Sequence, residues 1–526
     1  MSNFRKRIPR TAAGAAAGLL AGYAALAAAE LTAALTRPQA GPLTAVGSAA
    51  IDRTPAPLKD FAIRAFGEND KLVLQLGIIA VLGLLAAALG ILTLRHRRAG
   101  CAGVLLFGVV GAAAAVTRPD ADGAADALPS LVGAAVGAAV LHLLSGRITR
   151  TAAPSRDQDA PAERWSRRGF LAAASVTAVA ATGAGALGRV LTGRRGEGAV
   201  ASREAVVLPA PASPAAATPK GAVLAVPGIS PFTTPNKDFY RVDTALVVPR
   251  IDAGTWRLRI HGTGVTRPRT YTFQDLLARP LIERDVTLTC VSNEVGGPYA
   301  GNARWLGVPL AELLREAGVR PPSRGGRADQ LVARSVDGMT LGSPVEDVMD
   351  GRDALLAVGM NGEPLPFDHG FPVRMVVPGL YGYVSACKWL VDLELTTFDA
   401  YDPYWVKRSW ARRAPIKTQS RIDTPKPFAR PAAGAVTVAG VAWAQHRGIT
   451  GVEVRVDDGA WQPADLAAED SADTWRQWSF PWSATAGGHT LTVRATDATG
   501  LVQTEERTRT VPDGASGRHS VFVTVT

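Results

Sequence analysis

Long stretches of the first 200 residues carry almost no polar positions. Apolar runs extend from about Thr11 to Leu35, Leu72 to Leu94, Ala99 to Val116 and Leu128 to Leu144. Each is long enough to cross a bilayer as a helix. A soluble helix bundle would show polar positions every three to four residues, and these runs do not. Four membrane-spanning helices are therefore expected within residues 1–150. Past residue 225 the pattern changes. "TWRLRIHG" alternates as a strand does, "TFQDLLARP" and "PLAELLREAG" have helical spacing, and "FPVRMVVPG" is again strand-like. Residues 226–415 thus predict an α+β domain. From 416 to 526 short alternating segments are divided by turns, with "DDG" and "GG" marking hairpins, which predicts a small β-sandwich. Between these regions, Ala201–Lys220 is rich in Ala and Pro, reads as a semi-extended tether that does not pack, and sets a linker over residues 198–225.

Charge orients the apolar runs. Arg5, Lys6, Arg7 and Arg10 precede the first, Arg95, Arg97 and Arg98 separate the second from the third, and the acidic "RPDADGAADA" joins the third to the fourth. This alternation puts the N-terminus in the cytoplasm. The first outer loop, Thr36–Lys71, is mixed in charge and does not contribute. Residues 151–197 hold an Arg-rich cytoplasmic segment and a fifth apolar span. They include "SRRGFL", Ser166 to Leu171, which resembles a twin-arginine export signal, a route used by folded, cofactor-loaded cargo. An ordinary positive flank is the plainer reading of an isolated Arg pair. Here the surrounding Ser, Phe and Leu favour the signal. Everything after about Arg195 is then extracytoplasmic on a multi-pass membrane protein.

The net charge of +11 over 526 residues does not indicate a nucleic-acid partner, because Lys and Arg form no basic stripe interleaved with aromatics. Three cysteines, Cys101, Cys290 and Cys387, leave one disulfide possible in principle and no framework. No CxxC, CxxCH or HExxH occurs, so zinc, iron–sulfur and c-type haem have no support. His96 and His142, the two histidines of the membrane part, are thin support for any other haem.

Candidate chemistry sits in two segments. "ERDVTLTCVSNEVGG", Glu283–Gly297, ends a strand-like run on Cys290 and a glycine-bearing loop. A lone free cysteine is most often a buried structural residue. About 80 residues later, Phe367–Leu395 holds His369, Arg374 and Lys388 around a glycine turn. Such groups suit a phosphate: Arg offers a fork, Lys a point charge, and Gly lets backbone N–H groups approach.

These segments, with "GNARWLGVPLAELL", "DHGFPVRMVVPG" through "CKWL", and "GVAWAQHRGITGVEVRVDDGAWQPA" and "DGASGRHSV" in the tail, resemble the sulfite oxidase family of molybdenum-cofactor enzymes. The resemblance covers about Phe239 to Thr526. It implies that Cys290 is the thiolate ligand of molybdenum, that His369 and Arg374 hold the molybdopterin phosphate, and that Lys388 with the preceding "YGYVSA" turn, including Gly382 and Ser385, forms the second wall. Tyr240 and Arg241 align with an early cofactor-contacting segment, the Arg one place early and the family's His replaced near Thr244. The tail looks like the family's immunoglobulin-like dimerisation domain, which leaves a homodimer open. Asn293, Glu294 and Val295 stand where sulfite oxidases place basic residues, and Trp410 where an active-site Tyr is expected.

The expected protein is a membrane-anchored, extracytoplasmic molybdopterin oxidoreductase. It would perform oxygen-atom transfer coupled to two-electron redox on an oxyanion or an S- or N-oxide, with an electron-transfer partner the sequence does not identify. The competing expectations are a reductase of S- or N-oxides and a redox-inactive surface binding module on the same scaffold.

Overall fold

The computed structural model describes residues 10–54, 66, 70–149 and 167–526. Arg5, Lys6, Arg7, Ser166 and part of the segment joining the first two apolar runs lie outside the described residues. The chain divides into two compact units, one reaching Gly198 and including Ala245–Val247, the other made of Ala199–Thr244 and Val248–Thr526.

Among the described residues, five helices are long and apolar enough to cross a membrane: Arg10–Leu35, Leu72–Leu92, Arg97–Val116, Ala124–Ile148 and Arg168–Glu204. A further helix, Pro42–Arg53, begins with Pro at its first turn and occupies part of the expected outer loop. Its 12 residues are too few to span a bilayer. Helices Arg10–Leu35 and Asp70–Leu92 meet through bare backbone. A Cβ on Gly18 would collide with the Ala86 carbonyl, and one on Gly90 with that of Gly14. Small residues at such crossings replace the hydrophobic drive that lipid does not supply. At one end of this bundle Arg37 pairs with Asp120 and Asp126, and Arg118 pairs with Asp120. The acidic loop and the chain leaving the first helix therefore share an end. At the other end, Arg97 donates to the His142 carbonyl at 2.7 Å.

The second unit begins with two five-stranded sheets. In one, β1 (Arg257–Gly262), β2 (Arg269–Thr272), β5 (Gln330–Ser335), β6 (Thr340–Pro344) and β10 (Leu390–Thr396) lie in the order β2-β1-β10-β5-β6. The β1–β10 pair is parallel. In the other, β3 (Ile282–Thr289), β4 (Ala300–Pro309), β7 (Leu355–Met360) and β8 (Glu363–Pro364) follow in that order, and β9 (Arg374–Val376) pairs with β7. The two predicted helices form at Phe273–Leu277 and Leu310–Glu316, the first closed by a Thr272–Asp275 capping box.

Two four-stranded sheets complete the unit. One holds β11 (Gln419–Thr424), β12 (Gly434–Trp443), β15 (Asp465–Leu466) and β16 (Arg476–Ala484). The other holds β13 (Ile449–Val456), β14 (Gln462–Pro463), β17 (Gly487–Asp497) and β18 (His519–Val525). Inner-face residues such as Val438, Val454, Trp478 and Val493 share one core. "DDG" turns β13 into β14 as expected. "GG" does not close a hairpin: β16 pairs with β12 and β15, and β17 with β13 and β18, so the chain changes sheets there.

The Ala/Pro-rich linker also differs from expectation. The preceding helix continues to Glu204, and the extended chain beyond it packs. Ala212 and Ser213 donate to the Leu281 carbonyl, and Glu283 donates back to Ser213. Extended backbone that lacks helical hydrogen bonds offers them to an open sheet edge, and here it covers the start of β3.

Candidate functional site

Residues 286–289 of β3 are buried on both faces, and the strand delivers Cys290 at its end. The core that receives it runs from Phe232 to Trp475, so Trp443 and Trp475 of the C-terminal sheets pack in the same cluster as Trp305. The outer edge of β3 is bonded as well. Thr287 donates its N–H to Asp473 and accepts from the Trp475 N–H at its hydroxyl, and Gln445 Nε2 donates to the Thr287 carbonyl and the Thr289 hydroxyl at 2.9 and 3.0 Å.

Beyond the strand the chain forms a closed loop. Cys290 N–H donates to the Tyr299 carbonyl at 2.9 Å, and Tyr299 N–H returns to Asn293 Oδ1 at 2.8 Å. From behind, Arg421 donates to the Gly297 carbonyl at 2.7 Å. His519 packs so closely on Gly296 that a Cβ there would collide with its ring. All three cysteines are free, so the one disulfide the sequence allowed is not formed. Burial pushes the Cys290 thiol up, opposed by hydrogen bonds from Ser292 and by the Lys388 charge. A thiol held there ionises readily only with a further positive charge beside it, such as a metal ion.

The cations come from β9 and the turns around it. Arg374 is 6% exposed. Its guanidinium lies 5.1 Å from the Trp305 ring centroid and reaches the His369 carbonyl at 3.4 Å. Its Nε has no hydrogen-bond partner, and no carboxylate pairs with it among the described residues. Burial lowers its pKa to about 10. His369 ends the turn Phe367–His369, and burial, then Arg374, lowers its pKa to about 4. Its Nε2 lies 2.8 Å from the Asn236 carbonyl. A carbonyl only accepts, so this nitrogen carries the proton of a neutral ring. Gly370, at φ +109°, lets the chain pass against Lys388 and Arg374.

Tyr240 joins the two halves. Burial raises its phenol pKa, Cys290 adds to the rise and Arg374 opposes it, so Tyr240 senses both groups. A Cβ on Gly382 would stand 3.9 Å from the Tyr240 hydroxyl and 3.7 Å from the Thr289 carbonyl, placing the Gly382–Ser385 turn beside the end of β3. Ser385 is fully buried and donates to the Leu380 and Tyr381 carbonyls, so its hydroxyl closes the turn.

Lys388 and Arg241 are placed differently. Lys388 Nζ is 2.7 Å from Asp243 Oδ2 and 3.1 Å from the Asp368 carbonyl. Arg241 is more exposed and bridges Asp243 and Asp368. Asp243 escaped the sequence reading, although an acid three residues after Tyr240 was a usable signal. Asn236 and Tyr299 escaped it too, because each acts through its backbone. Of the residues that depart from the family pattern, Asn293 is spent on closing the loop, Glu294 is exposed, and Trp410 packs against Trp405 and Tyr383.

A buried thiol and a buried cation without a counter-anion, both acting on Tyr240, fit a soft metal ion carried by an anionic cofactor. Residues 245–405 match the family described as oxidoreductase molybdopterin binding domain. Mouse mitochondrial sulfite oxidase is 32% identical over 290 residues, 47% of this chain and 53% of that protein. Residues 245–405 are a molybdopterin-binding domain of the sulfite oxidase family. The domain is also similar to nitrate reductase [NADH] 1 of Arabidopsis thaliana, 33% identical over 30% of this chain and 20% of that protein. Among solved structures, sulfane dehydrogenase SoxCD of Paracoccus pantotrophus is 26% identical, with a TM-score of 0.48 over 57% of this chain and 82% of that one. The chain spans about half the length of the first mammalian sulfite oxidases it matches. The cofactor of this sulfite-oxidase-type domain is the molybdenum cofactor.

Proposed function

We propose that this chain is a membrane-anchored, extracytoplasmic oxidoreductase that transfers an oxygen atom in a two-electron reaction. Cys290 is assigned as the thiolate ligand of molybdenum, with Arg374 and His369 holding the pterin phosphate. The observation that carries this reading is Arg374, a buried guanidinium with an unpartnered Nε. When bound, the cofactor supplies the redox couple and the exchangeable oxygen. Around it, the closed loop keeps Cys290 in place, the core excludes water, and Tyr240 stays protonated as a neutral hydrogen-bond donor beside the thiol. Lys388, fixed by Asp243, adds positive charge to the wall.

The residues that follow Cys290 favour a neutral S- or N-oxide over sulfite. Residues 291–299 contain no Lys or Arg, and Glu294 adds a negative charge where a dianion would approach. Five apolar helices support a multi-pass anchor. Arg167 and Arg168 before the last of them support twin-arginine export, which places the domain outside the cytoplasmic membrane. The C-terminal sheets are read as an immunoglobulin-like sandwich through which two copies pair.

Metal and pterin analysis of the purified full chain tests the central claim. One molybdenum and one pterin per chain is the expected result, with turnover of dye-coupled S- or N-oxides exceeding that of sulfite. Protein that folds without either would establish the binding-module alternative.

A further inference from the structure

A second charged feature uses none of the residues that surround Cys290. The loop that follows β1 and the chain that follows helix Leu310–Glu316 enclose a cleft of about 690 Å³. Four arginines line it, Arg267, Arg315, Arg320 and Arg327, and no carboxylate does. None of the four has an ion-pair or side-chain hydrogen-bond partner among the described residues. Two other arginines of this domain are engaged: Arg279 pairs with Glu316 at 2.7 Å, and Arg334 with Glu394 at 4.0 Å.

The cleft is built into the backbone. The N–H groups of Thr266 and Arg267 both donate to the Ala317 carbonyl at 3.1 Å, fastening one loop to the other. Gly318, at φ +84°, makes that approach possible, since a Cβ there would collide with the Thr266 hydroxyl. Val319 and Ala328 are buried beneath. The backbone that carries the arginines is thus held around one cleft, with the four side chains exposed at it.

Four like charges around one cleft repel one another, and an anion bound between them relieves that repulsion. The guanidinium fork matches phosphate oxygens two at a time. One orthophosphate can satisfy one or two of the four. The volume lies in the range that holds small organic ligands of about 300–1,000 Å³. Its concavity disfavours an acidic protein face, whose carboxylates would reach the rim alone. We propose that this cleft binds a polyanion with two or more linked phosphate groups, supplied either by a soluble oligophosphate or by the headgroup of a diphosphate lipid such as cardiolipin.

The test is calorimetric titration of the detergent-solubilised full chain with tripolyphosphate, at about 150 mM salt so that diffuse surface attraction is screened. Saturable binding is expected, with orthophosphate about tenfold weaker or more. Arg267→Ala and Arg327→Ala should each weaken tripolyphosphate by about tenfold. The corresponding Lys variants should fall between, because they keep the charge and lose the fork. Melting temperature and cofactor content should stay unchanged in all four. Displacement by cardiolipin micelles, but not phosphatidylcholine micelles, assigns the lipid source. Failure of cardiolipin to displace assigns the soluble one. Absence of saturable binding, equal affinity for orthophosphate, indifference to the Arg substitutions, or displacement by polyglutamate with neither phosphate ligand preferred would each overturn the proposal.

Discussion

Replacing Arg374 by Met should move the cofactor-free and the cofactor-loaded protein in opposite directions. Burial lowers the guanidinium pKa from 12.5 to about 10. At ~1.4 kcal/mol for each tenfold change in proton affinity, holding the charge there costs ~3 kcal/mol in the cofactor-free protein. Met retains much of the apolar stem and loses the cation–π contact with Trp305, worth ~1 kcal/mol, together with a long, weak bond to the His369 carbonyl. The cofactor-free variant should therefore be ~1–2 kcal/mol more stable than its parent and melt higher by about 2–6 °C. With the cofactor in place, the charge that burdened the empty site becomes the partner of a phosphate. Its removal then costs ~2–4 kcal/mol, a loss of about thirtyfold or more in cofactor affinity. The assay is a pair of thermal melts on full-length protein made with and without cofactor synthesis, with pterin content measured on the loaded sample. A cofactor-free Arg374→Met protein that melts well below its parent, with pterin content unchanged in the loaded one, would show that Arg374 only packs the fold.

Cys290→Ser should keep the fold and much of the pterin and lose nearly all turnover with any accepted substrate, read by pterin assay, melt and dye-coupled kinetics; an active variant would remove the ligand assignment. Lys388→Ala removes the 2.7 Å ion pair from the Asp243 carboxylate, 2% exposed, and should cost ~2–4 kcal/mol in a melt. Asp243→Asn in the same chain should recover part of that loss. His519 predicts a pH dependence: burial, then Arg421, lowers its pKa to about 4, and its Nδ1 accepts from the Ile422 N–H, a bond that protonation destroys. The unfolded chain takes up this proton near pH 6.5 and the folded chain only near 4. Stability is therefore full above pH 6.5 and falls by ~3 kcal/mol as pH drops to 4, a loss His519→Gln should abolish in melts across that range.

The apolar runs were legible because bilayer-length stretches without polar positions have few other uses, and each run lies within or almost within a long helix. Cys290 at the end of a strand was legible from "DVTLT" and the glycine-bearing loop after it. Arg374 was legible as a residue type in a glycine-rich context; that it stands without a carboxylate was not, since this depends on every side chain around it. The pairing of Lys388 with Asp243 joins positions 145 residues apart and has no local pattern. The linker misled for a physical reason: Ala and Pro disfavour regular elements, but they do not prevent extended chain from bonding to an open sheet edge. "GG" marked a turn correctly and could not say whether it returns to the same sheet. The arginine cleft was invisible for the reason Asp243 was. Its four cations come from one loop and from the end of a helix with the chain after it, brought together by one carbonyl and one glycine.

The bonds that hold β3 and the loop after it come from late in the chain. Arg421, Gln445 and Trp475 are separated from their partners Gly297, Thr287 and Thr287 by 124, 158 and 188 residues. A ribosome that has released Cys290 has therefore not yet made the groups that fix it. Until those later strands are laid down, the nascent thiol sits on an unsupported edge, open to solvent and to oxidants. Deleting the C-terminal sheets to obtain a minimal catalytic fragment would recreate that unfinished state permanently. The part of the molecule that contributes no candidate ligand is the part that makes the ligand's position durable.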